Sequence, residues 1–232
     1  MGESRSFERV WAMKIMVLGM GRSGLHAIIR WIANGLGGTV HLHSNCKKGW
    51  KDKRFVPTKI VKEAQGDRKQ SHVIKSIEDF YLPLWDGLDM ASFEKFDKIV
   101  TIVRSPRNWL ASSIAVGGWA RDYLEKAPDG EPELPVSRID AYKSYFGSSR
   151  QHIRINYNYW LEYNSNRNHI ANTLWIKNVP VPEQCKFSSF KRPYNHNEDR
   201  YKLLSPKQRK WFNKMYDKGL ERIQEEYFAY ST

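Results

Sequence analysis

The stretch that most constrains this chain is Lys14–Leu36, KIMVLGMGRSGLHAIIRWIANGL. Lys14 to Leu18 is an apolar run of strand length that stops at Gly19, as expected of a strand buried on both faces. Beyond the turn, apolar residues recur at Leu25, Ile28, Ile29, Ile32, Ala33 and Leu36. This i, i+3, i+4, i+7 spacing predicts a helix with one buried face, and Gly35, Gly37 and Gly38 supply its stop. Strand, glycine turn and helix in that order predict the opening unit of an α/β fold.

The turn itself is Gly19-Met20-Gly21-Arg22-Ser23-Gly24. Glycines let the backbone bring its N–H groups close to an anion, which also meets the positive end of the helix dipole. The spacing of Gly19 and Gly24 matches the glycine frame of a P-loop, G-x-x-x-x-G-K-[ST]. The next two residues depart from it: Leu25 stands in the lysine position and His26 in the position of the magnesium-binding hydroxyl. The loop is therefore an anion cradle without the usual equipment for magnesium-dependent hydrolysis of a nucleoside triphosphate. Arg22 and Ser23 remain as side-chain donors. The plain alternative is a tight β-α turn whose glycines serve chain reversal alone.

A second stretch, Asp97–Ser113, reads DKIVTIVRSPRNWLASS. Lys98 to Val103 predicts another buried strand, and Pro106 suits the first turn of a following helix. A Walker-type enzyme often ends such a strand on an aspartate that holds magnesium. This chain has Arg104 there, with Arg107 three residues on and Ser112 eight residues on. Arginine presents a fork of donors suited to phosphate, and a serine hydroxyl can add to it.

A G-x-x-R-S-G loop after the first strand, then a strand ending R-x-P with a serine eight residues after the arginine, resembles the sulfotransferase family. The resemblance covers roughly residues 14 to 115. It implies 3′-phosphoadenosine 5′-phosphosulfate (PAPS) as sulfuryl donor, adenosine 3′,5′-bisphosphate as product, and no metal. Gly21, Arg22, Ser23, Gly24, Leu25 and His26 would hold the 5′-phosphosulfate, with Arg22 in the place of the family's loop lysine or arginine. Arg104 and Ser112 would hold the 3′-phosphate. In the family a late basic segment closes over the 3′-phosphate and adenine; Lys191 and Arg192 are similar in type and place, without the family's usual glycine beside them.

The resemblance also directs attention to Ser71–Leu82, SHVIKSIEDFYL, where a strand is expected over about His72 to Ile77. The family's strand here ends near the catalytic base, a histidine in some branches, within a pattern like K-T-H, and a glutamate in others. Lys75-Ser76 is followed by Ile77 in this chain, so that histidine is absent. Glu78 comes next, at the strand edge where open α/β sheets bind ligands, and a carboxylate there could take the acceptor's proton. Asp79 and His72 are its competitors, and a solvated carboxylate is the plain reading. Lys75 is placed to reach the bridging oxygen or a sulfonate oxygen, or to let its stem cross the sheet edge.

The 232 residues suit one domain, and 41% hydrophobic content with nine tryptophans suffices for a core. No apolar run of membrane-spanning length and no leader pattern occurs. Cys46 and Cys185 make neither a disulfide framework nor a metal spacing, which favours a reducing, cytoplasmic setting. His41 and His43 share one strand face and lack a third ligand. His43 and His26 are candidates to line an acceptor pocket. The net charge of +13 suits polyanionic partners, but no nucleic-acid motif accompanies it.

The rest of the chain is read in order. Residues 1–10 form a polar lead-in, Thr39–His43 a second strand, and 44–70 a lysine-rich exposed excursion. Trp109–Trp119 continues the second helix to Gly117-Gly118. Residues 122–137 make a proline-rich connector, and Arg138 to about Asn164 an aromatic helical region split near Gly147. NTLWIK, Asn172–Lys177, predicts a strand completing the sheet, residues 186–200 a basic loop, and the segment from Ser205 one long packing helix. The expected fold is a three-layer α/β/α domain with a parallel sheet of about five strands. The expected activity is sulfuryl transfer to a hydroxyl or amine, with a carbohydrate or other small molecule as acceptor. Its rivals are a P-loop kinase or NTPase and a non-catalytic polyanion-binding protein.

Overall fold

The computed structural model describes residues 12–37, 39–44, 47–48, 55–56, 59–64, 71–78, 96–115, 139–140, 142–143, 145–146, 152–181 and 200–228. Its strands are β1 (Lys14–Gly19), β2 (Thr39–Ser44), β3 (Lys47–Lys48), β4 (Phe55–Val56), β5 (Lys59–Ala64), β6 (Ser71–Glu78), β7 (Lys98–Val103) and β8 (Ile153–Asn156). The main sheet runs in the order β5-β2-β6-β1-β7-β8. Five neighbours, β2 through β8, are parallel, and β5 is an antiparallel edge on β2. The α/β fold with a central five-stranded parallel sheet is as the sequence predicts.

Helices cover both faces because the central strands are apolar on both. Ile15 and Val17 of β1 join Ile74, Val100, Ile102 and Ile155 on the face that α1 (Leu25–Leu36) covers. Met16 and Leu18 point the other way, onto α2 (Pro106–Ala115), through Trp109, Leu110 and Ile114. Each fully buried Ile or Leu contributes roughly 1.5–3 kcal/mol, so the six buried apolar residues of α1 secure it without a side-chain cap. The first face is completed by α3 (Tyr157–Glu162) and α4 (Asn164–Leu174), the second by α5 (Pro206–Met215) and α6 (Lys218–Phe228).

The chain thus leaves β1 toward one face and β7 toward the other. A crevice opens between such strands at their carboxyl ends, where open α/β sheets bind ligands. The register sets three strand ends level: Gly19 lies opposite Glu78 on one side and Ile102 on the other. Among the described residues no helix is long and apolar enough to cross a membrane.

Four expectations are corrected. NTLWIK is not a strand: α4 runs to Leu174 on the helical strip Ile170, Ala171 and Leu174, Trp175 turns left-handed (φ 57°), and residues 176–181 lie as coil along α1. The fifth parallel strand is β8, inside the region expected to be helical; the alternation Ile-Arg-Ile-Asn was short beside its aromatic neighbours, yet Ile155 is fully buried. The excursion over 44–70 contains β3, β4 and the edge strand β5. The late helix is two, because Asp217 interrupts it and caps α6 through Leu220 N (2.9 Å). Ser205 is the expected N-cap of α5, with a full capping box to Gln208.

Candidate anion site at the carboxyl ends of β1 and β7

The turn after β1 holds two left-handed residues, Arg22 (φ 70°) and Gly24 (φ 93°), flanking Ser23. Alternating handedness of this kind makes a concave row of backbone N–H groups that receives anions. A non-glycine residue in this conformation costs about 1–2 kcal/mol, and three bonds offset it at Arg22. Ser23 N donates to Met20 O at 3.0 Å, Arg104 Nη1 to Arg22 O at 2.7 Å, and Trp109 Nε1 to Gly21 O at 3.0 Å. At Gly24 a side chain is excluded twice over, since a Cβ would stand 2.2 Å from the Tyr157 ring.

Gly24 also leaves the amino end of α1 without a side-chain cap, so an anion is the fitting partner for its first-turn N–H groups. Ser23 is 2% exposed, and its hydroxyl has no hydrogen-bond partner. Leu25 is core, packed against Gly19, so it can offer a ligand only its backbone. His26 is exposed in the first turn of α1, and the Arg22 side chain is exposed as well.

Arg104 faces this loop from the end of β7. It is 4% exposed, and its Nη1 is spent on Arg22 O, while Nε and Nη2 have no partner. Those two nitrogens form the side-on edge of the guanidinium, which matches two oxygens of a phosphate or sulfonate. The Tyr157 ring flanks the group, with its centroid 5.6 Å from Cζ. A buried guanidinium with unmatched donors is strongly unfavourable unless an anion completes it. Beside Tyr157, the amide of Asn158 is also buried, and neither its nitrogen nor its oxygen has a partner.

The junction after β7 is otherwise closed. Ser105 Oγ accepts from Asn108 N at 3.2 Å and so caps α2. Ser112 is fully buried, with its hydroxyl accepting from Arg200 Nη1 at 2.7 Å, and Arg200 N donates to Asn108 Oδ1 at 3.1 Å. Arg200, 5% exposed, was not singled out from the sequence, because an isolated arginine in a polar stretch carries no pattern. Arg107 lies over the rings of Tyr201 (4.8 Å) and Phe212 (5.9 Å).

Glu78 ends β6 beside Gly19, at the mouth of the site. Lys75 sits three residues back, opposite Met16, with its ammonium 6.0 Å from the Phe96 ring. His72 is the second residue of the same strand, six residues from Glu78 and roughly 20 Å away at strand rise. Its Nδ1 accepts from Met13 N at 3.1 Å, and burial lowers its pKa. It belongs to the opposite end of the strand from Glu78. Asp79, Lys191 and Arg192 lie outside the described residues, as do Cys46 and Cys185. Among the described residues no three metal-ligating side chains come together.

A mouse sulfotransferase, SULT7A1, solved in complex with PAP, has a similar fold: the TM-score is 0.51 at 15% sequence identity, over 93% of this chain and 89% of that one. At that identity the likeness is one of architecture. No protein-family model matches the chain, and no curated protein sequence does.

Proposed function

We propose that the protein is a sulfotransferase that moves a sulfuryl group from PAPS to a hydroxyl or amine, with carbohydrates the first acceptor class to test. The observation that carries this reading is Arg104, a buried guanidinium whose Nε and Nη2 stand unmatched beside an uncapped glycine loop. The site offers anion donors on two sides of one crevice, and the family resemblance of the loop and of R-x-P joins them to a bisphosphorylated nucleotide. The fold shared with a PAP-bound sulfotransferase supports the same reading.

In this proposal the loop N–H groups, the Ser23 hydroxyl and Arg22 hold the 5′-phosphosulfate, with the backbone of Leu25 and His26 at the helix end. Arg104 takes the 3′-phosphate through its free edge. Ser112 acts there through Arg200, and Lys191 and Arg192 would close over the nucleotide. PAPS supplies an activated sulfuryl group on a phosphate leaving group. The acceptor oxygen or nitrogen bonds to sulfur, the sulfur–oxygen bond to the 5′-phosphate breaks, and Glu78 accepts the acceptor's proton. Donors aimed at the leaving phosphate stabilise the charge that develops there, the kind of contribution that is usually the largest in catalysis. Lys75, whose ammonium lies 6.0 Å from the Phe96 ring, would reach the bridging oxygen or a sulfonate oxygen.

Calorimetric titration with adenosine 3′,5′-bisphosphate, with magnesium ATP as control, tests the donor site. Binding of the bisphosphate and not of ATP is expected. Binding of ATP alone would move the protein to the kinase class, and binding of neither would leave a basic polyanion-binding protein. Glu78→Gln should then reduce turnover with PAPS and leave bisphosphate affinity nearly unchanged.

A further inference from the structure

The two halves of the site are held together by a closed circuit that runs through Trp109 and Tyr142. Trp109 Nε1 donates to Gly21 O at 3.0 Å, from the first turn of α2 into the loop after β1. The Trp109 ring stacks on Tyr142, with centroids 4.5 Å apart and planes inclined by 27°. The Tyr142 hydroxyl donates to the backbone carbonyl of Arg104. Arg104 Nη1 returns to the loop at Arg22 O, 2.7 Å away. Trp109 is 1% exposed and Tyr142 is 2% exposed, and burial raises the pKa of Tyr142 well above its ordinary value, so its hydroxyl stays a donor at any working pH.

The consequence follows from peptide planarity. A carbonyl held toward Trp109 at Gly21 turns the N–H of Arg22 to the opposite side of the same plane, away from α2. The bond to Arg22 O fixes the next plane in the same way. Trp109 and Arg104 therefore orient the strained half of the loop, while Tyr142 fixes the backbone from which Arg104 projects. The loop and the guanidinium are two anion-binding groups on different strands, and the distance between them is set by this circuit.

We propose that Trp109, braced by Tyr142, is a positioning residue that sets the spacing between the loop cradle and the Arg104 guanidinium, and thereby selects ligands that carry two phosphate-like groups on one scaffold. The proposal rests on the donor-site reading above. A ligand with both groups engages the loop and Arg104 at once only if their separation is held; a ligand with one group needs only one of them.

The experiment compares Trp109→Phe with Trp31→Phe. Trp31 is an equally buried indole on the other face of the sheet, and its Nε1 donates to Val179 O at 3.0 Å. Both changes replace a buried indole with the smaller phenyl ring and delete one buried N–H bond, so a purely structural role predicts similar losses in melting temperature and no difference in ligand preference. The expected result is that Trp109→Phe weakens adenosine 3′,5′-bisphosphate about tenfold. Binding of adenosine 5′-monophosphate, which needs the loop alone, should fall by a clearly smaller factor, and Trp31→Phe should alter neither ligand. Tyr142→Phe, which keeps the stack and deletes only the hydroxyl, should shift the same preference by a smaller factor and serves if Trp109→Phe does not fold. Equal loss of both ligands, or an unchanged preference in the variants, would overturn the positioning role. Failure of the wild type to bind the bisphosphate would instead overturn the donor-site reading; pyrophosphate then becomes the two-group probe and inorganic phosphate the one-group probe, and absence of any preference for pyrophosphate that depends on Trp109 would overturn the proposal as well.

Discussion

The junctions after β1 and β7 are built from the same plan and finished in opposite ways. Each is a buried strand, a short turn and a helix, and the two strand ends lie side by side. After β7, Ser105 caps α2 and Pro106 opens it, so that helix satisfies its own amino end and the site there depends on a side chain, Arg104. After β1, Gly24 offers no cap and stands left-handed under Tyr157, so α1 presents backbone donors instead. The β7 junction caps its own helix and leaves one side-chain edge unmatched; the β1 junction leaves the helix end itself without a side-chain cap. Unmatched buried donors are costly; the Ser23 hydroxyl and the Nε–Nη2 edge of Arg104 are two of them at these neighbouring junctions, while others, such as His72 Nε2 and Trp160 Nε1, lie elsewhere.

Gly24→Ala breaks this contrast most severely. A left-handed alanine costs about 1–2 kcal/mol, and displacing the Tyr157 ring adds roughly 1–3 kcal/mol. A drop of about 2–5 kcal/mol in urea-unfolding stability is expected, together with loss of bisphosphate binding. A fully stable Gly24→Ala protein would show that the loop tolerates a side chain at this position.

Arg104 separates binding from stability. Arg104→Ala should weaken the bisphosphate by about 1.5–3 kcal/mol, the usual range for a hydrogen bond to a charged group. Arg104→Met fills the volume without an unpaired charge, and such replacements are often neutral or stabilising. Its melting temperature without ligand should equal or exceed that of the wild type, while the rise on adding bisphosphate disappears. A strong fall in stability without ligand would mean that Arg104 serves mainly to hold the loop.

Ser105→Ala sharpens the comparison from the other side. Loss of an N-cap costs about 1 kcal/mol, and thermal unfolding should register it with no change in ligand affinity. The smallest effect belongs to the far end of the sheet. Burial lowers the pKa of His72 from the ordinary value of 6.5, so the unfolded chain takes up the proton first. The stability tied to His72 is therefore present above about pH 6.5 and is lost as the pH falls below it, by less than about 1.4 kcal/mol per pH unit. His72→Gln, which keeps an acceptor for Met13 N, should flatten part of that acid slope in urea-unfolding measurements; His152, also lowered by burial, accounts for a further share.

By itself the sequence determined whatever rests on unbroken local pattern. The apolar runs at Lys14 and Lys98 could only be buried strands, the i, i+3, i+4 series from Leu25 could only be an amphipathic helix, and the glycine spacing with R-x-P pointed to an anion between them. Short or mixed patterns misled: the four-residue alternation of β8 gave way to a longer aromatic series, and Leu-Trp-Ile looked like a strand although the helical strip Ile170, Ala171 and Leu174 governs that segment. Only the tertiary structure decided which donors stay unmatched, because that depends on partners far apart in the chain. Arg104 meets Arg22 across 82 residues, Trp109 reaches Gly21 across 88, and Arg200 takes the Ser112 hydroxyl across a further 88. A residue's type states what it can donate, and the packing of strands β1 and β7 states what is left to donate once the fold has taken its share.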